Sequence, residues 1–305
     1  MNGATYFLYL LCIGLSAVGA WIFSKHGHRL NLLDQPNDRS SHRNSTPKGG
    51  GIGILAGFIA SALISKLPGF FWIPAVMLSM VSFVGDRYHL LPIIRLLFQF
   101  TASVIFLFGV WNTHPYSSVG YILIIPLALY IVGTTNYYNF MDGINGLAAV
   151  TGIVGFGLLA FYGAYSAASP GLIPLNICMA LCCMGFLPFN MPNAKVFMGD
   201  VGSILLGFVF AVMVVWYSTS LIDFLCLASF LFPFYADEIT TELIRLKNGE
   251  KLWLPHRKHL YQLLANEYSI SHWKVSMGYG IAQLIIGASI LFMFERGVFA
   301  IISTL

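Results

Sequence analysis

The chain has 305 residues, of which 57% are hydrophobic and only 9% are charged, and its mean hydropathy is +0.77. Soluble domains carry roughly 25% charged residues, so this composition excludes an ordinary soluble domain and predicts an all-α, polytopic integral membrane protein. The formal net charge of +4 says little about partners, because in a membrane protein the distribution of charge carries the information. No nucleic-acid partner is predicted.

About ten apolar runs are long enough to cross ~30 Å of hydrocarbon. They cover approximately residues 5–23, 51–66, 70–85, 93–111, 119–135, 146–165, 172–189, 202–221, 223–241 and 275–294. The first run is predicted to be an uncleaved span rather than a signal peptide, because it has no basic segment before it and no small-residue cleavage site after it. Residues 1–305 are therefore predicted to form a single transmembrane domain.

The basic residues indicate how the chain is oriented. Lys66 and Arg296 are the only two of the 16 lysines and arginines that lie outside one alternating set of connecting segments and their flanking span ends. That set comprises residues 24–50, 86–92, 136–145, 190–201 and 242–274. The positive-inside rule places these segments in the cytoplasm and the amino terminus on the periplasmic side. Every segment rich in polar, glycine or histidine residues then lies on the cytoplasmic face.

A polar stretch interrupts the apolar sequence near its middle. Its side chains recur every three residues, at Asn136, Asn139, Asp142 and Asn145. Successive members would share a face of a helix. A carboxylate in the middle of a bilayer costs roughly 2.5–3.5 kcal/mol, so the stretch is predicted to lie at the water-facing mouth of a span. The alternative is a capped interfacial turn, with the neighbouring glycines as helix breakers.

Two other cytoplasmic segments carry candidate ligands. The first loop combines Thr46 and Lys48 with a glycine run that begins at Gly49, and such glycines let backbone N–H groups approach an anion. Asp200 stands between glycines at the head of a span, where a carboxylate suits Mg²⁺, which takes one or two carboxylates plus substrate phosphates. The alternatives are an ordinary basic loop and a plain helix cap. Asp86, beside Arg87, is by itself typical of a solvated helix end.

The last cytoplasmic segment is the longest. Its first part places Asp237 and Arg245 on one helix face, and its second part contains His256, Arg257 and His259. If the second part is helical, the two histidines share a face. No third ligand stands at zinc spacing, so an anion-binding cluster is predicted. The alternative is a basic segment that lies on the membrane surface.

Carboxylates and cations that face the membrane together suit chemistry on a phosphorylated lipid. Carboxylates hold a metal ion, the metal ion and basic side chains neutralise phosphate, and a remaining carboxylate serves as base. A transporter or channel, with the Asp142 stretch lining a permeation path, is the rival from another class. A lipid-linked glycosyltransferase with an outer-face site is a second rival, but the outer loops are short and carry no acid.

Three motifs make the chain resemble the polyprenyl-phosphate N-acetylhexosamine-1-phosphate transferases, glycosyltransferase family 4. They are Asp34-x-Pro36-Asn37-x-Arg39-x-x-His42 with Thr46-Pro47-x-Gly49-Gly50, Asn136-x-x-Asn139-x-x-Asp142-Gly143-x-x-Gly146, and Phe197-Met198-Gly199-Asp200-x-Gly202-Ser203. The resemblance covers essentially the whole chain. It implies a bundle of ten or eleven spans with a cytoplasmic active site in a bacterial inner membrane.

The resemblance also implies a reaction and roles for residues. A UDP-N-acetylhexosamine and undecaprenyl phosphate would give undecaprenyl-diphospho-sugar and UMP. Asp200 would bind Mg²⁺, with Mn²⁺ as the alternative ion. Residues expected in catalysis are Asp86, Asp142, Asn139, His256 and His259, with Asp86 the expected base. Residues expected to bind substrate are Asn136, Asn145, Lys48, Thr46, Gly49, Arg257, Arg245 and Asp237. A homodimer is left open as a further partner.

The last motif and two departures refine this expectation. His256-Arg257-x-His259-x-Tyr261-Gln262 is similar to the branch that initiates O-antigen synthesis, whereas the peptidoglycan translocase has three consecutive histidines there. Gly85 stands where the family has the first of two adjacent aspartates, so Asp86 is expected to act alone. Asn145 stands where many relatives have an aspartate.

Overall fold

The computed structural model describes residues 3–30, 32–36, 41, 44–88, 90–113, 122–166, 170–251, 254 and 256–294. Four residues singled out above lie outside these ranges, namely Asn37, Arg39, His42 and Arg296. The described chain folds into the helices α1 Gly3–His26, α2 Ile52–Ile64, α3 Gly69–Tyr88, α4 Pro92–Thr113, α5 Ile124–Phe140, α6 Leu147–Tyr165, α7 Ile173–Asn190, α8 Asp200–Tyr217, α9 Leu221–Ala228, α10 Phe232–Lys247, α11 Leu260–Gln262 and α12 His272–Phe294.

Short turns and one small ribbon complete the described structure. The 3₁₀ turns are Gly27–Leu30, Pro170–Leu172 and Ser229–Leu231, and α11 runs on as a π-helical turn, Leu263–Glu267. Strands β1 (Leu33–Asp34) and β2 (Thr46–Pro47) pair antiparallel, with Leu33 opposite Pro47. The predicted all-α fold is confirmed.

Seven of the described helices are long and apolar enough to cross a membrane: α1, α3, α4, α6, α7, α8 and α12. The other three predicted spans are shorter or broken. Helix α2 has 13 residues and α5 has 17, and the run over 223–241 is divided between α9 and α10 by a 3₁₀ turn. At ~1.5 Å per residue, α2 is about 20 Å long, less than the hydrocarbon thickness. The count of ten spans and the orientation therefore stay predictions.

Helix α8 is the centre of the bundle. It is apolar on all sides, and nearly every residue from Val201 to Val215 is buried. Such a helix needs neighbours all round, and α8 contacts α2, α3, α4, α5, α6 and α9. Asp200 is its first residue, so the fold places this carboxylate in the middle of one end of the bundle.

The glycine loop packs against the start of α8. The N–H groups of Gly50 and Gly51 donate to the carbonyls of Phe197 and Met198, at 3.0 and 2.9 Å. A Cβ on Gly51 would lie 2.5 Å from the Cα of Gly202, so only glycine allows this approach. The expectation that these two N–H groups bind an anion is therefore wrong, because the loop uses them for its own pairing.

The polar stretch divides at the end of α5. Asn136 and Asn139 lie on the helix, whereas Asp142 and Asn145 lie in the loop that follows it. Gly146 closes this loop with φ +87°, a conformation that favours glycine, and immediately precedes α6. The stretch therefore does lie at the end of a helix, with a glycine-terminated turn attached to it.

Candidate active site

Three carboxylates from separate elements gather at the start of α8. Asp86 lies near the end of α3, Asp142 in the loop after α5, and Asp200 at the first position of α8. The Oδ2 of Asp86 accepts the N–H of Asp200 at 3.0 Å. Burial, and then the negative charges of Asp200 and Asp86, raise the pKa of Asp142 well above its usual value. Residues far apart in the sequence therefore form one acidic cluster.

Two of the three carboxylates have their own cation. Lys48 Nζ lies 3.3 Å from Asp86 Oδ1, and Arg95 Nη1 donates to Asp200 Oδ2. Among the residues that the structure describes, no lysine or arginine forms an ion pair with Asp142. Asp142 is thus the carboxylate of the cluster with the least compensation for its negative charge.

Asn139 is the member of the asparagine series that joins this cluster. Its Nδ2 donates to Asp200 Oδ1 at 3.0 Å and to Ser203 Oγ at 2.8 Å. Asn136 instead exchanges hydrogen bonds with Gln99 of α4, at 2.6 and 3.2 Å. That pair ties α4 to α5. The substrate-binding role of Asn136 stays a prediction, and its visible contacts are between helices.

Asn145 is held by its surroundings on three sides. Its Nδ2 donates to the carbonyl of Pro192 at 3.0 Å, its N–H donates to His272 Nδ1 at 3.4 Å, and its carbonyl accepts from Ser276 Oγ at 2.8 Å. An ionised aspartate has no donor for the Pro192 carbonyl. The amide of Asn145 therefore makes a structural contact that an aspartate could not make. Its role in substrate binding stays a prediction.

The donor set of the cluster fits a hard cation. Asp200, Asp86 and Asp142 offer carboxylate oxygens, and Asn139 directs its amide nitrogen to Asp200. Within the described ranges, no three His, Cys, Asp or Glu side chains converge as a ready-made metal site. Mg²⁺ commonly binds one or two carboxylates and completes its shell with water and substrate phosphates. The residues present fit that pattern, and the role of Asp200 as the metal ligand stays a prediction.

A buried carboxylate anchors the last polar segment. Asp237 is on α10, and its oxygens accept the N–H groups of Leu260 and Tyr261, at 2.8 and 3.2 Å, and the hydroxyl of Tyr279 at 2.5 Å. Thr241 Oγ1 donates to it at 3.2 Å, as their spacing of four residues predicts. With this many protein donors, Asp237 acts as an anchor for the start of α11. Its substrate-binding role stays a prediction.

We expect Asp237→Asn to destabilise the protein by about 2–3 kcal/mol, because the amide NH₂ would face N–H and O–H donors instead of accepting hydrogen bonds from them. The apparent Tm in detergent should fall by roughly 5–10 °C. Glu267→Gln is the matched control, because Glu267 is an exposed carboxylate in the same segment. Equal melting temperatures for the two variants would contradict the anchoring role.

The histidine segment is not helical before residue 260. Residues 256–258 have no regular structure, yet the rings of His256 and His259 lie 4.6 Å apart. His259 is buried between two carboxylates, with Nδ1 3.6 Å from Asp237 and Nε2 3.7 Å from Glu238. The expectation that a shared helix face brings the histidines together is wrong, because Asp237 fixes α11 to begin only at residue 260.

Tyr261 connects this segment to the acidic loop. Its ring stacks on His259 at 5.6 Å, and its hydroxyl donates to the carbonyl of Phe140 at 3.0 Å. A Cβ on Gly143 would lie 2.1 Å from the tyrosine oxygen, so the loop beside Asp142 has room for Tyr261 only because Gly143 has no side chain. The basic segment and the Asp142 loop are therefore packed directly together.

A basic cavity of about 400 Å³ opens in the last segment. It is lined by Arg245, Glu250, Lys251, Leu254, His256, Arg257 and Lys258. Arg245 is buried and braces the cavity, because its Nη2 donates to the carbonyls of Lys251 and Leu254, each at 2.8 Å. Glu250 pairs with Lys258 and lies 3.4 Å from Arg245. The excess of cations makes this cavity suitable for an anionic group such as a diphosphate.

Burial, followed by the positive charges of His259 and Arg245, lowers the pKa of His256 to about 4. In the unfolded chain this histidine takes up a proton near pH 6.5, whereas in the folded protein it stays neutral down to about pH 4. The free energy of unfolding is therefore at its full value above about pH 6.5 and declines as the pH falls toward 4. We expect the apparent Tm to fall between pH 7.5 and pH 5, and to fall less in His256→Gln. The same pH dependence in both proteins would contradict this assignment.

The roles of two residues were missed by the sequence analysis. Arg95 and Gln99 were not singled out, yet Arg95 pairs with Asp200 and Gln99 pairs with Asn136. Their spacing of four residues on an otherwise apolar helix was the available signal. Two such polar residues share a face, and that face needs polar neighbours inside the bundle.

Several known proteins resemble this chain. The family model described as Glycosyl transferase family 4 matches residues 69–218. A probable undecaprenyl-phosphate N-acetylglucosaminyl 1-phosphate transferase of Bacillus subtilis is 25% identical over 260 residues, which cover 80% of this chain and 72% of the relative. A decaprenyl-phosphate N-acetylglucosaminephosphotransferase of Mycobacterium leprae is 30% identical, with 78% and 71% covered. An undecaprenyl-phosphate alpha-N-acetylglucosaminyl 1-phosphate transferase of Thermotoga maritima is 30% identical, with 83% and 79% covered.

Proposed function

We propose a function for this chain on the basis of its family: it belongs to the polyprenyl-phosphate N-acetylhexosamine-1-phosphate transferases, within glycosyl transferase family 4. It transfers an N-acetylhexosamine-1-phosphate from a UDP-sugar to a polyprenyl phosphate. An oxygen of the lipid phosphate attacks the phosphorus that carries the sugar, and the bond from that phosphorus to the UMP oxygen breaks. The products are a polyprenyl-diphospho-sugar and UMP.

The observation that carries this proposal is the acidic cluster and its neighbours. Asp142 and Asn139, from one motif, meet Asp86 and Asp200, and Tyr261 joins the Asp142 loop to the chain segment that contains the basic cavity. Mg²⁺ held by Asp200 would neutralise charge on the donor diphosphate. The cavity cations would bind the diphosphate oxygens and orient the donor.

Asp142 suits the base role better than Asp86. Both oxygens of Asp86 already accept, one from Lys48 and the other from the N–H of Asp200. Among the described residues no lysine or arginine pairs with Asp142, so its carboxylate is less occupied than that of Asp86 and is better able to accept a proton. The proposal therefore moves the proton acceptor from Asp86 to Asp142, with Asp86 positioning Lys48 and the start of α8.

The remaining details of the proposal concern the lipid, the polymer and the membrane. The lipid is undecaprenyl phosphate, as in the names of two of the relatives. The product starts O-antigen or a related surface polysaccharide, on the strength of the His256-Arg257-x-His259 pattern. The site faces the cytoplasm from a bacterial inner membrane, in accord with the distribution of basic residues. The transporter alternative has no support from these relatives.

The test is a transfer assay with purified protein, undecaprenyl phosphate, Mg²⁺ and a panel of UDP-N-acetylhexosamines. UMP release that requires the lipid, together with a lipid-linked sugar that keeps one phosphate of the donor, is expected. The control variant Asp223→Asn should have wild-type activity. Asp223 lies on α9, beyond the end of α8 that is opposite Asp200. No lipid-dependent UMP release with any sugar of the panel would contradict the proposal.

A further inference from the structure

Arg95 has no role in the function proposed above, although it contacts the carboxylate at the centre of the site. Its Nη1 donates to Asp200 Oδ2. Its Nε is buried and has no hydrogen-bond partner within the described part of the chain. A buried guanidinium nitrogen without an acceptor is costly. Arg95 is therefore held by one carboxylate and lacks a second acceptor that its geometry could use.

Gly85 determines where the guanidinium lies. A Cβ on Gly85 would be 3.0 Å from Nη2 of Arg95, 3.2 Å from Nε and 3.3 Å from Cζ. The guanidinium group therefore packs against the backbone of α3 in space that another residue at position 85 would need for its side chain. An aspartate at position 85 would direct a carboxylate at the nitrogens that Asp200 does not occupy, in the forked arrangement that suits arginine.

We propose that Arg95 is a built-in counter-ion of Asp200 that a divalent cation must displace, and that Gly85 maintains this competition by offering Arg95 no other carboxylate. The inference rests on the proposed function in one respect, namely that Asp200 is the cation ligand. Arg95 is thus a positioning residue that sets how tightly the cation binds.

The physical basis is competition for one carboxylate. Asp200 Oδ1 accepts from Asn139 and Oδ2 from Arg95, so a cation that approaches Oδ2 meets a positive charge in its place. The apparent Kd for the cation equals its intrinsic Kd divided by the fraction of protein in which Arg95 has left Asp200. If that fraction is about one tenth, removal of the arginine charge tightens binding about tenfold.

The experiment measures Mn²⁺ binding to the purified, EDTA-stripped protein by electron paramagnetic resonance, without substrates. We expect Arg95→Gln to lower the Kd for Mn²⁺ roughly five- to tenfold. The matched control is Arg87→Gln, which removes an exposed cation from the end of α3 and should leave the Kd unchanged. Asp200→Asn should abolish Mn²⁺ binding, which would show that the measured ion is bound at the Asp200 site.

A second pair of variants leaves Arg95 in place. Gly85→Asp should tighten Mn²⁺ binding by drawing Arg95 away, while Gly85→Asn, of the same size and without charge, should tighten it much less. An added carboxylate also attracts the cation directly, so Gly85→Asp is repeated in the Arg95→Gln background. If the new carboxylate acts by holding Arg95, most of its effect should disappear there, because the two changes remove the same competitor.

The outcomes separate this inference from the proposed function. An unchanged Kd in Arg95→Gln, or an equal gain from Gly85→Asp with and without Arg95, would overturn the inference. Mg²⁺-dependent lipid transfer by the same preparations would leave the proposed function standing in that case. Mn²⁺ binding that does not depend on Asp200 would overturn both the inference and the assignment of the metal ligand.

Discussion

We expect Asp200→Asn to lower UMP release by a factor on the order of 100 or more while the protein stays folded, because Mg²⁺ needs a charged oxygen ligand to neutralise the donor diphosphate. The amide retains an oxygen for the hydrogen bond from Asn139. The charge that is lost faces Arg95 in a partly exposed pair, and such pairs contribute about 1 kcal/mol or less to stability. The measurements are UMP release and the apparent Tm in detergent.

Asp223→Asn, far from the site on α9, is the control for this variant and should keep wild-type activity. EDTA should abolish the activity of the wild type, and added Mg²⁺ should restore it. Wild-type activity in metal-free buffer, or near wild-type activity in Asp200→Asn, would remove the metal ligand from the proposal and would leave membership of the family untouched.

The sequence predicted the helical fold and the location of the acidic cluster for identifiable reasons. Long apolar runs determine helices in a membrane protein, because the backbone must satisfy its own hydrogen bonds there. Carboxylates at the ends of such runs are kept out of hydrocarbon. Asp86 and Asp200 therefore meet at one end of the bundle, as do Asn139 and Asp200.

The sequence could not predict which polar groups pair with one another. The pairs Lys48–Asp86 and Arg95–Asp200 join residues 38 and 105 positions apart, and no local pattern connects them. The same holds for Asp237, whose partners at Leu260 and Tyr261 depend on how the last segment folds back. These contacts depend on the packing of several helices together, which periodicity along one helix does not contain.

The glycine loop is another place where the sequence could not predict the hydrogen-bond partners. Gly50 and Gly51 suggest backbone N–H groups available to an anion, and the sequence offers no sign of the carbonyls of Phe197 and Met198 that take them. The glycines are instead needed because two backbones approach closely. This packing also brings Lys48 to the acidic cluster, where it pairs with Asp86.

The base assignment makes the other large prediction. We expect Asp142→Asn to lower kcat by roughly 10²–10⁴-fold, the range that general-base catalysis contributes, because the neutral amide cannot take the proton from the lipid phosphate. Asp86→Asn should lower kcat by roughly tenfold, the lower end of the losses that accompany removal of a supporting contact around a metal site. The measurement is kcat for all three proteins as a function of pH, with Asp223→Asn as the control.

The pH profiles distinguish the two carboxylates more sharply than the rates do. Since burial, Asp200 and Asp86 raise the pKa of Asp142, wild-type kcat should fall as pH drops below that raised pKa, at a higher pH than an ordinary aspartate would give. In Asp86→Asn one negative neighbour is gone, so the acidic limb should move to lower pH. In Asp142→Asn the limb should disappear. An acidic limb that stays in Asp142→Asn and vanishes in Asp86→Asn would return the base role to Asp86, and a limb that is the same in all variants would assign it to the lipid phosphate itself.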